Sequence, residues 1–332
     1  QLQLRLNGTL PGSGNPASNP PATPPLELSL SGEARQGARQ ARLQVSAHAG
    51  PSASNPPGAF NWAARLDELS LNLQDSATAA PWGLRLSAPA TLSLNHQAKA
   101  DLTELTLAPG EARLAQAGVP DLSLRWQNTR WAQQKGQARW QTSGQVQDLS
   151  LPWIEQLMTL AQGASSASLG ISGDLLLNAD WSASAEPGLK ARLRLSRQRG
   201  DLRLQAEDLP QGVQANEAQR SAGARVAEAT LSLDEGALSA AVQWDSERAG
   251  QLQARFNTRL SNGPQGLSWP PDTALSGSLN AQMPKLGVWS VLAPPGWRMR
   301  GTLDAQATLK GTLQNPEWQG VLENEIVIYK EQ

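Results

Sequence analysis

The chain has 332 residues, 28 basic against 29 acidic, with 39% hydrophobic and 17% charged residues. That balance is too apolar for a disordered solvating segment and offers no positive excess to attract nucleic acid. No cysteine is present, which excludes disulfides and thiolate metal sites, and two Phe and one Tyr beside twelve Trp, 29 Gly and 23 Pro suit a sheet one side chain deep better than a thick enzyme core.

Taken in order, the chain is already in strand rhythm at Leu2, Leu4 and Leu6, so it reads as beginning inside a longer protein. No signal peptide opens it, and no stretch approaches the roughly 18 apolar residues of a membrane helix. Residues 11–25, rich in Pro, Gly, Ser and Asn, predict a loop, as do 48–58, 208–223 and 261–273. Apolar alternation appears at Leu26/Leu28/Leu30, Leu84/Leu86, Leu92/Leu94 and Leu122/Leu124/Trp126. At 151–161 the period changes. Leu151, Ile154, Leu157, Met158 and Ala161 have helical spacing, with Ser150 as N-cap and Pro152 in the first turn.

Alternation then resumes at Leu175/Leu177, Ala191/Leu193/Leu195, Ala227 through Leu233, and Leu238 through Trp244. In 251–260, Leu252, Ala254, Phe256, Thr258 and Leu260 face one way, and Gln251, Gln253, Arg255, Asn257 and Arg259 the other. Leu275, Gly277, Leu279, Ala281 and Met283 continue the pattern. A second helical segment is expected at 285–293, where Leu286, Trp289 and Leu292 follow Pro284 and Pro294-Pro295-Gly296 closes the run. The longest alternation comes last: Met299, Gly301, Leu303, Ala305, Ala307, Leu309, Gly311 and Leu313 share one phase. A period of two over such lengths means strands with one dry and one wet face, whose register is fixed because a one-residue slip would turn the apolar set outward. Asp234-Glu235-Gly236, Arg199-Gly200-Asp201 and, more weakly, Arg248-Ala249-Gly250 stand as hairpin turns, which makes neighbouring strands antiparallel. Both helical segments precede a G-x-L strand, at Gly173-Asp174-Leu175 and Gly301-Thr302-Leu303, and suggest a long repeat. Three segments follow: 1–148, a β-rich groove segment with Pro/Gly-rich loops; 149–282, a short helix and β-groove; and 283–332, a short helix and the start of another groove.

Catalytic constellations are missing. His48 and His96 lack metal-ligand spacing, and no G-x-S-x-G, G-x-G-x-x-G or P-loop occurs. The acidic pairs Asp67/Glu68, Asp101/Glu104, Asp234/Glu235 and Glu323/Glu325 fall at turns or on the polar phase, where solvated carboxylates belong. Tryptophans at strand ends and around the second helical segment read as packing groups closing an apolar face, rather than as carbohydrate platforms. The chain is expected to be non-enzymatic, without metal or cofactor.

The stretches Leu286-Gly287-Val288-Trp289, Leu292 through Ala305, and Gly311-Thr312-Leu313-Gln314-Asn315-Pro316-Glu317-Trp318-Gln319-Gly320 closely resemble the translocation and assembly module subunit TamB family of Gram-negative bacteria. The G-x-L…P-x-W-x-G phrase is the most specific part, and from about 1 to 140 the likeness is one of texture. The resemblance implies an elongated, curved, mostly antiparallel all-β sheet, a β-taco with an open apolar groove and two short amphipathic helices. It further implies a periplasmic location in a protein anchored in the inner membrane, and an outer-membrane barrel partner of the TamA type reached through parts outside this chain. AsmA-like bridge proteins of this kind are associated with phospholipid transport and with outer-membrane protein assembly. Residues from Glu323 onward, rich in Ile and acid, depart from the pattern and read as an artificial end, an altered frame or a broken gene.

A dry sheet face must close on itself, add a layer or hold ligand. Small residues among the leucines leave room for acyl chains, so Leu252, Ala254, Phe256, Leu275, Leu279, Met299, Leu303, Ala305, Ala307, Leu309 and Leu313 are the expected lipid-groove residues. Leu151, Ile154, Leu157, Met158, Leu286, Trp289, Leu292, Trp297 and Trp318 are expected to pack at the groove edge or on the helices. The alternative role is a periplasmic assembly factor that offers strand edges or the groove to unfolded outer-membrane β-barrel or autotransporter clients. A secreted adhesin or β-helical enzyme is disfavoured, since neither a short fixed-period repeat nor a convergent polar cluster occurs.

Overall fold

The computed structural model describes residues 2–7, 26–37, 39–51, 59–74, 81–155, 172–186, 188–203, 221–263, 266–286 and 297–330. Of these, 80% lie in strands, most of them in one large antiparallel sheet. The chain forms two compact units, Gln1–Val146 with Ser182–Pro187, and Gln147–Trp181 with Gly188–Gln332.

The first unit is built on β1 (Leu2–Asn7), β2 (Leu26–Gln36), β3 (Arg39–Pro51), β4 (Ala59–Gln74), β5 (Trp82–Leu86), β6 (Ala90–Gln97), β7 (Leu102–Leu107), β8 (Gly110–Gln116), β9 (Val119–Trp126), β10 (Thr129–Gln134) and most of β11 (Gln137–Ser150). β1 to β4 pair in sequence. Beyond β4 each long strand is broken in two. β6 pairs with the first half of β4 and β5 with its second half, and the halves continue as β6–β7–β10 and β5–β8–β9. The breaks align into a crease across the sheet. It starts at Asp67, an extra residue between Leu66, which pairs with Ala47, and Glu68, which pairs with Ser46. It continues through Ala88-Pro89, Ala108-Pro109 and Gln127-Asn128. Proline has no N–H for the ladder, so it belongs at such interruptions. Isolated bonds hold the crease together: Ser87 N–H donates to the Glu111 carbonyl (2.9 Å), Ala108 N–H to Thr91 (2.8 Å) and Gln127 N–H to Ser143 (2.8 Å). Trp126 Nε1 donates to the Ala108 carbonyl at 2.8 Å, and its ring occupies the space where a Cβ on Gly110 would stand, 2.3 Å from Cζ2.

In the second unit, β12 (Ser172–Gly173) pairs with β15 (Leu202–Arg203), and the unit also holds the first part of β13 (Leu176–Ala185) and all of β14 (Leu189–Arg199). β16 (Ala224–Asp234), β17 (Ala237–Ser246) and β18 (Gly250–Arg259) follow, then the short hairpin β19 (Ser261–Gly263) and β20 (Gly266–Ser268), then β21 (Leu275–Met283), β22 (Trp297–Gly311) and β23 (Pro316–Lys330). The order β14–β16–β17–β18–β21–β22–β23 is antiparallel throughout. Glu235 (φ 47°) and Gly236 (φ 88°) make the expected two-residue turn, with both central residues in the left-handed region that such hairpins need. Arg248-Ala249-Gly250 likewise turns β17 into β18.

Several expectations are corrected. Arg199-Gly200-Asp201 leads from β14 into β15, not back along the main sheet, because β14 takes β16 as partner. The segment 261–273 is partly the β19–β20 hairpin, and β3 continues through residues 48–51. A helical turn is present at 151–155, while the remainder of the segment expected to run to 161 lies outside the described residues. Ser150 does not cap it: the Ser150 hydroxyl is buried without a hydrogen-bond partner. In the second expected helix, residues 285 and 286 are not helical and 287–293 lie outside the described residues. Gly173 (φ 152°) and Gly301 (φ 117°), the two G-x-L glycines, share a backbone that L side chains avoid. A Cβ there would stand 2.2 Å from the Asp201 carbonyl oxygen and 1.5 Å from that of Glu325, so both need glycine.

Candidate functional site: the apolar face of the second unit

Cross-strand register assembles the alternating residues into rows. One runs Leu195, Ala229, Val242, Ala254, Leu279, Ala307 and Gly320. The next runs Leu193, Leu231, Ala240, Phe256, Gly277, Leu309 and Trp318. A third joins Ala227, Trp244, Leu252, Ala281, Ala305 and Leu322. Each row crosses the sheet without one charged residue. Along β18, β21 and the described side chains of β22, every second residue is exposed and its neighbours are partly or fully buried.

This face is covered at one end of the strands, along the Trp244–Leu252–Ala281–Ala305 row, and is open farther along β14, β16 and β17. At one end Leu151 of the helical turn is buried with Leu175, Leu202, Ala222, Ala224, Trp244 and Ala249, and Ile154 and Leu252 pack against them. Asp201 ties that end together. Its carboxylate accepts the backbone N–H groups of Leu202 (2.8 Å), Gly223 (2.7 Å) and Ala224 (3.1 Å) and the Ser221 hydroxyl. A second cluster is formed by Ala281, Met283, Leu286 and Ala305, with Leu252, Leu279 and Leu303 against it, and Leu286 N–H donates to the Gly301 carbonyl at 2.9 Å. Away from these clusters, which meet at Leu252, Leu231 is 43% exposed, Val242 41% and Leu193 38%, and no second layer covers them among the described residues.

Of the residues singled out from sequence, Leu252, Ala254, Phe256, Leu275, Leu279, Leu303, Ala305, Ala307 and Leu309 all lie on this face. Leu275 stands opposite Thr258. Leu313 does not belong with them: β22 ends at Gly311, and Leu313 sits in the following turn with its N–H on the Thr273 carbonyl. Met299 and Trp297 belong to β22 by backbone pairing. Leu157, Met158, Trp289 and Leu292 lie outside the described residues. Trp318, expected at the groove edge or against the helices, stands on the outer strand. It faces Leu309 and is 60% exposed. Sequence reasoning left out Leu193, Leu231, Val242 and Ala240, although their alternation was visible. Counting register across the hairpin turns would have placed them in the same rows.

The G-x-L…P-x-W-x-G phrase has a local explanation. Pro316 opens β23 opposite Gly311, where no ladder donor is lost from the strand interior, and Thr312 and Asn315 close the turn with bonds of 3.1 and 3.2 Å. Gly320 lies across from Ala307, and a Cβ on it would meet the Gln306 carbonyl oxygen at 2.0 Å.

Charged groups pair on the polar faces. Arg225 chelates Asp245 at 2.8 and 3.0 Å, and the hydrogen bond holds the Asp245 carboxyl below the usual range. In the first unit His48 Nδ1 lies 2.5 Å from Asp67 Oδ2 at the crease, and this bond is the main reason the Asp67 carboxyl is also held low. Among the described residues no group of three His, Asp or Glu is placed to hold a metal, and no helix is long and apolar enough to cross a membrane. No family model matches the chain, and no curated protein or solved structure matches it either.

Proposed function

We propose that the second unit is a non-enzymatic scaffold whose apolar face forms an open groove for phospholipid acyl chains, as part of an elongated periplasmic bridge between inner and outer membranes. The observation that carries this reading is the set of charge-free rows in which Leu193, Leu231 and Val242 remain exposed while one end of the strands is plugged. Each buried methylene contributes about 0.8 kcal/mol, so a 16-carbon chain is held by on the order of 10 kcal/mol before losses. Small residues, Ala229, Ala254, Gly277 and Ala307, alternate with Leu in the rows and leave depth for a chain. Sliding along the groove keeps that burial nearly constant, so transport needs no energy-consuming site here. Lipid extraction and mass spectrometry of the purified protein test the reading: reproducible stoichiometric phospholipid supports it, and a lipid-free protein that takes up none from vesicles contradicts it. The TamB resemblance agrees with this role and adds the TamA-type barrel partner.

A second reading, assembly of outer-membrane β-barrel or autotransporter clients, is favoured by β23. Its fifteen residues pair with β22 and with no other strand among the described residues. Trp318, Val321 and Leu322 are each at least 60% exposed on it, and no bulge interrupts it. Pro, charges and bulges blunt natural edges; here Pro316, Glu317, Glu323 and Glu325 flank an uncharged stretch, Trp318–Leu322, and such a stretch of edge accepts another strand. Saturable binding of an unfolded barrel protein by a lipid-free preparation, lost on Leu322→Lys, would favour this reading over the first.

A further inference from the structure

The polar face of the first unit carries a separate site. Ser70, Arg85, Arg113 and Ser123 stand opposite one another along β4, β5, β8 and β9, so two arginines are direct cross-strand neighbours. Like charges in that position oppose strand pairing. The nearby carboxylates relieve them only in part. Glu111 is engaged by Arg125 Nε at 2.9 Å and by the Ser123 and Ser87 hydroxyls at 3.1 and 3.4 Å, and it forms a longer ion pair with Arg113 Nε at 3.6 Å. Arg125 is also the chief reason the Glu111 carboxyl is held low. Arg85 has no ion pair or hydrogen bond among the described residues, and Asp121 pairs with neither arginine. Both arginines line a cavity of about 650 Å³ together with Asn72, Gly83, Ser87 and Asp121. Gly83 keeps its floor open, since Asn72 Oδ1 lies 2.9 Å from where a Cβ would stand.

We propose that Arg85 and Arg113 form an oxyanion site for a phosphoryl group, with the Asn72 amide as an additional donor. A guanidinium presents a planar fork that matches phosphate oxygens, and two forks on adjacent strands bring their stems within about 5 Å. One fork satisfies a carboxylate. A tetrahedral phosphoryl group has enough terminal oxygens for both, and its charge offsets the repulsion between them. The phosphoryl group comes either from a phospholipid head group at a membrane surface or from a soluble phosphate ester. This site does not rest on the acyl-chain reading, which concerns the second unit.

The test uses the intact protein and three variants: Arg85→Gln, Arg85→Lys, and Arg192→Gln as a control on the polar side of β14. Isothermal titration with inorganic phosphate and glycerol 3-phosphate is compared with flotation on phosphatidic acid and phosphatidylcholine vesicles in the same buffer. Arg85→Gln is expected to weaken binding at least tenfold and Arg85→Lys to weaken it less, while Arg192→Gln leaves it unchanged. Because Arg85 faces Arg113, the unliganded Arg85→Gln protein should melt no lower than the parent. Titration with the soluble ligands supports a soluble ester as the source; binding to phosphatidic acid vesicles alone supports a head group. Absence of binding in both assays, or equal loss in the Arg192→Gln control, overturns the proposal.

Discussion

Replacing Ala307 by arginine separates an open groove from a closed core. Ala307 is half-buried on β22, between Leu279 and Gly320, while Ala305 one step along the same face is buried under Met283 and Leu286. Ala307 is partly exposed, so if the proposed groove is open an arginine there carries its head toward water when no lipid is bound. The Ala307→Arg protein should therefore melt within a few degrees of the parent. With lipid present, the side chain displaces roughly four methylenes, worth about 3 kcal/mol at 0.8 kcal/mol each. That corresponds to about a hundredfold weaker retention, at 1.4 kcal/mol per factor of ten. Ala305→Arg instead forces a charge into a packed cluster, at a cost of about 3–5 kcal/mol, and should lower the melting temperature sharply. Gln306→Arg, on the wet face, should be silent in both measurements. The assay is thermal unfolding alongside retention of a radiolabelled phospholipid through gel filtration. Unfolding by Ala307→Arg as severe as that by Ala305→Arg would refute an open face at 307, and unchanged lipid retention would refute its use as a groove.

Asp201→Ala leaves the Leu202 and Ala224 N–H groups at the plugged end without their acceptor and Gly223 N–H with only the Ser221 hydroxyl at 3.3 Å; at about 1–3 kcal/mol for each buried unsatisfied group, a loss of several kcal/mol is expected in urea unfolding, with a smaller loss for Asp201→Asn. Gly301→Ala drives a methyl into the Glu325 carbonyl at a positive φ and should destabilise the β22–β23 hairpin, seen as faster amide exchange in both strands. Asp67 and Asp245 have folded-state acidities stronger than their unfolded ones, through His48 and Arg225. Their contribution is therefore complete above the ordinary carboxylate range and lost as the pH falls through and below about 4. Asp245→Asn should flatten that part of the acid-unfolding curve without altering stability above pH 6 by more than a surface ion pair does.

The second unit was largely legible because its rhythm is rarely interrupted. From Leu238 to Gly311 each strand keeps one phase, and the turns at Gly236 and Gly250 carry it into the next strand in register. The first unit was not legible in the same way. β4 holds Trp62, Ala64 and Leu66 in one phase and Leu69, Leu71 and Leu73 in the other, because the extra residue Asp67 absorbs the slip. A period-two reading takes this for two broken fragments. The Ala-Pro pairs at 88–89 and 108–109 look like strand ends, although the neighbouring ladders continue past them. Exposure was the other hidden quantity. Alternation identifies a dry face but does not say which part a plug covers, so Ala305 and Ala307 looked equivalent. The sequence pattern likewise does not say how exposed Trp318 is on its outer strand.

The most direct measurement is photo-crosslinking along one strand with a benzophenone amino acid, in protein loaded with phospholipid. Val242 and Gln243 are neighbours on β17, the first on the charge-free row and the second on the polar face. Lipid adducts at 242, 254, 279 and 307, with none at 243, 253, 280 and 306, are expected of acyl chains lying in the groove. Adducts of equal yield on both faces, or on neither while lipid remains bound elsewhere, would contradict it.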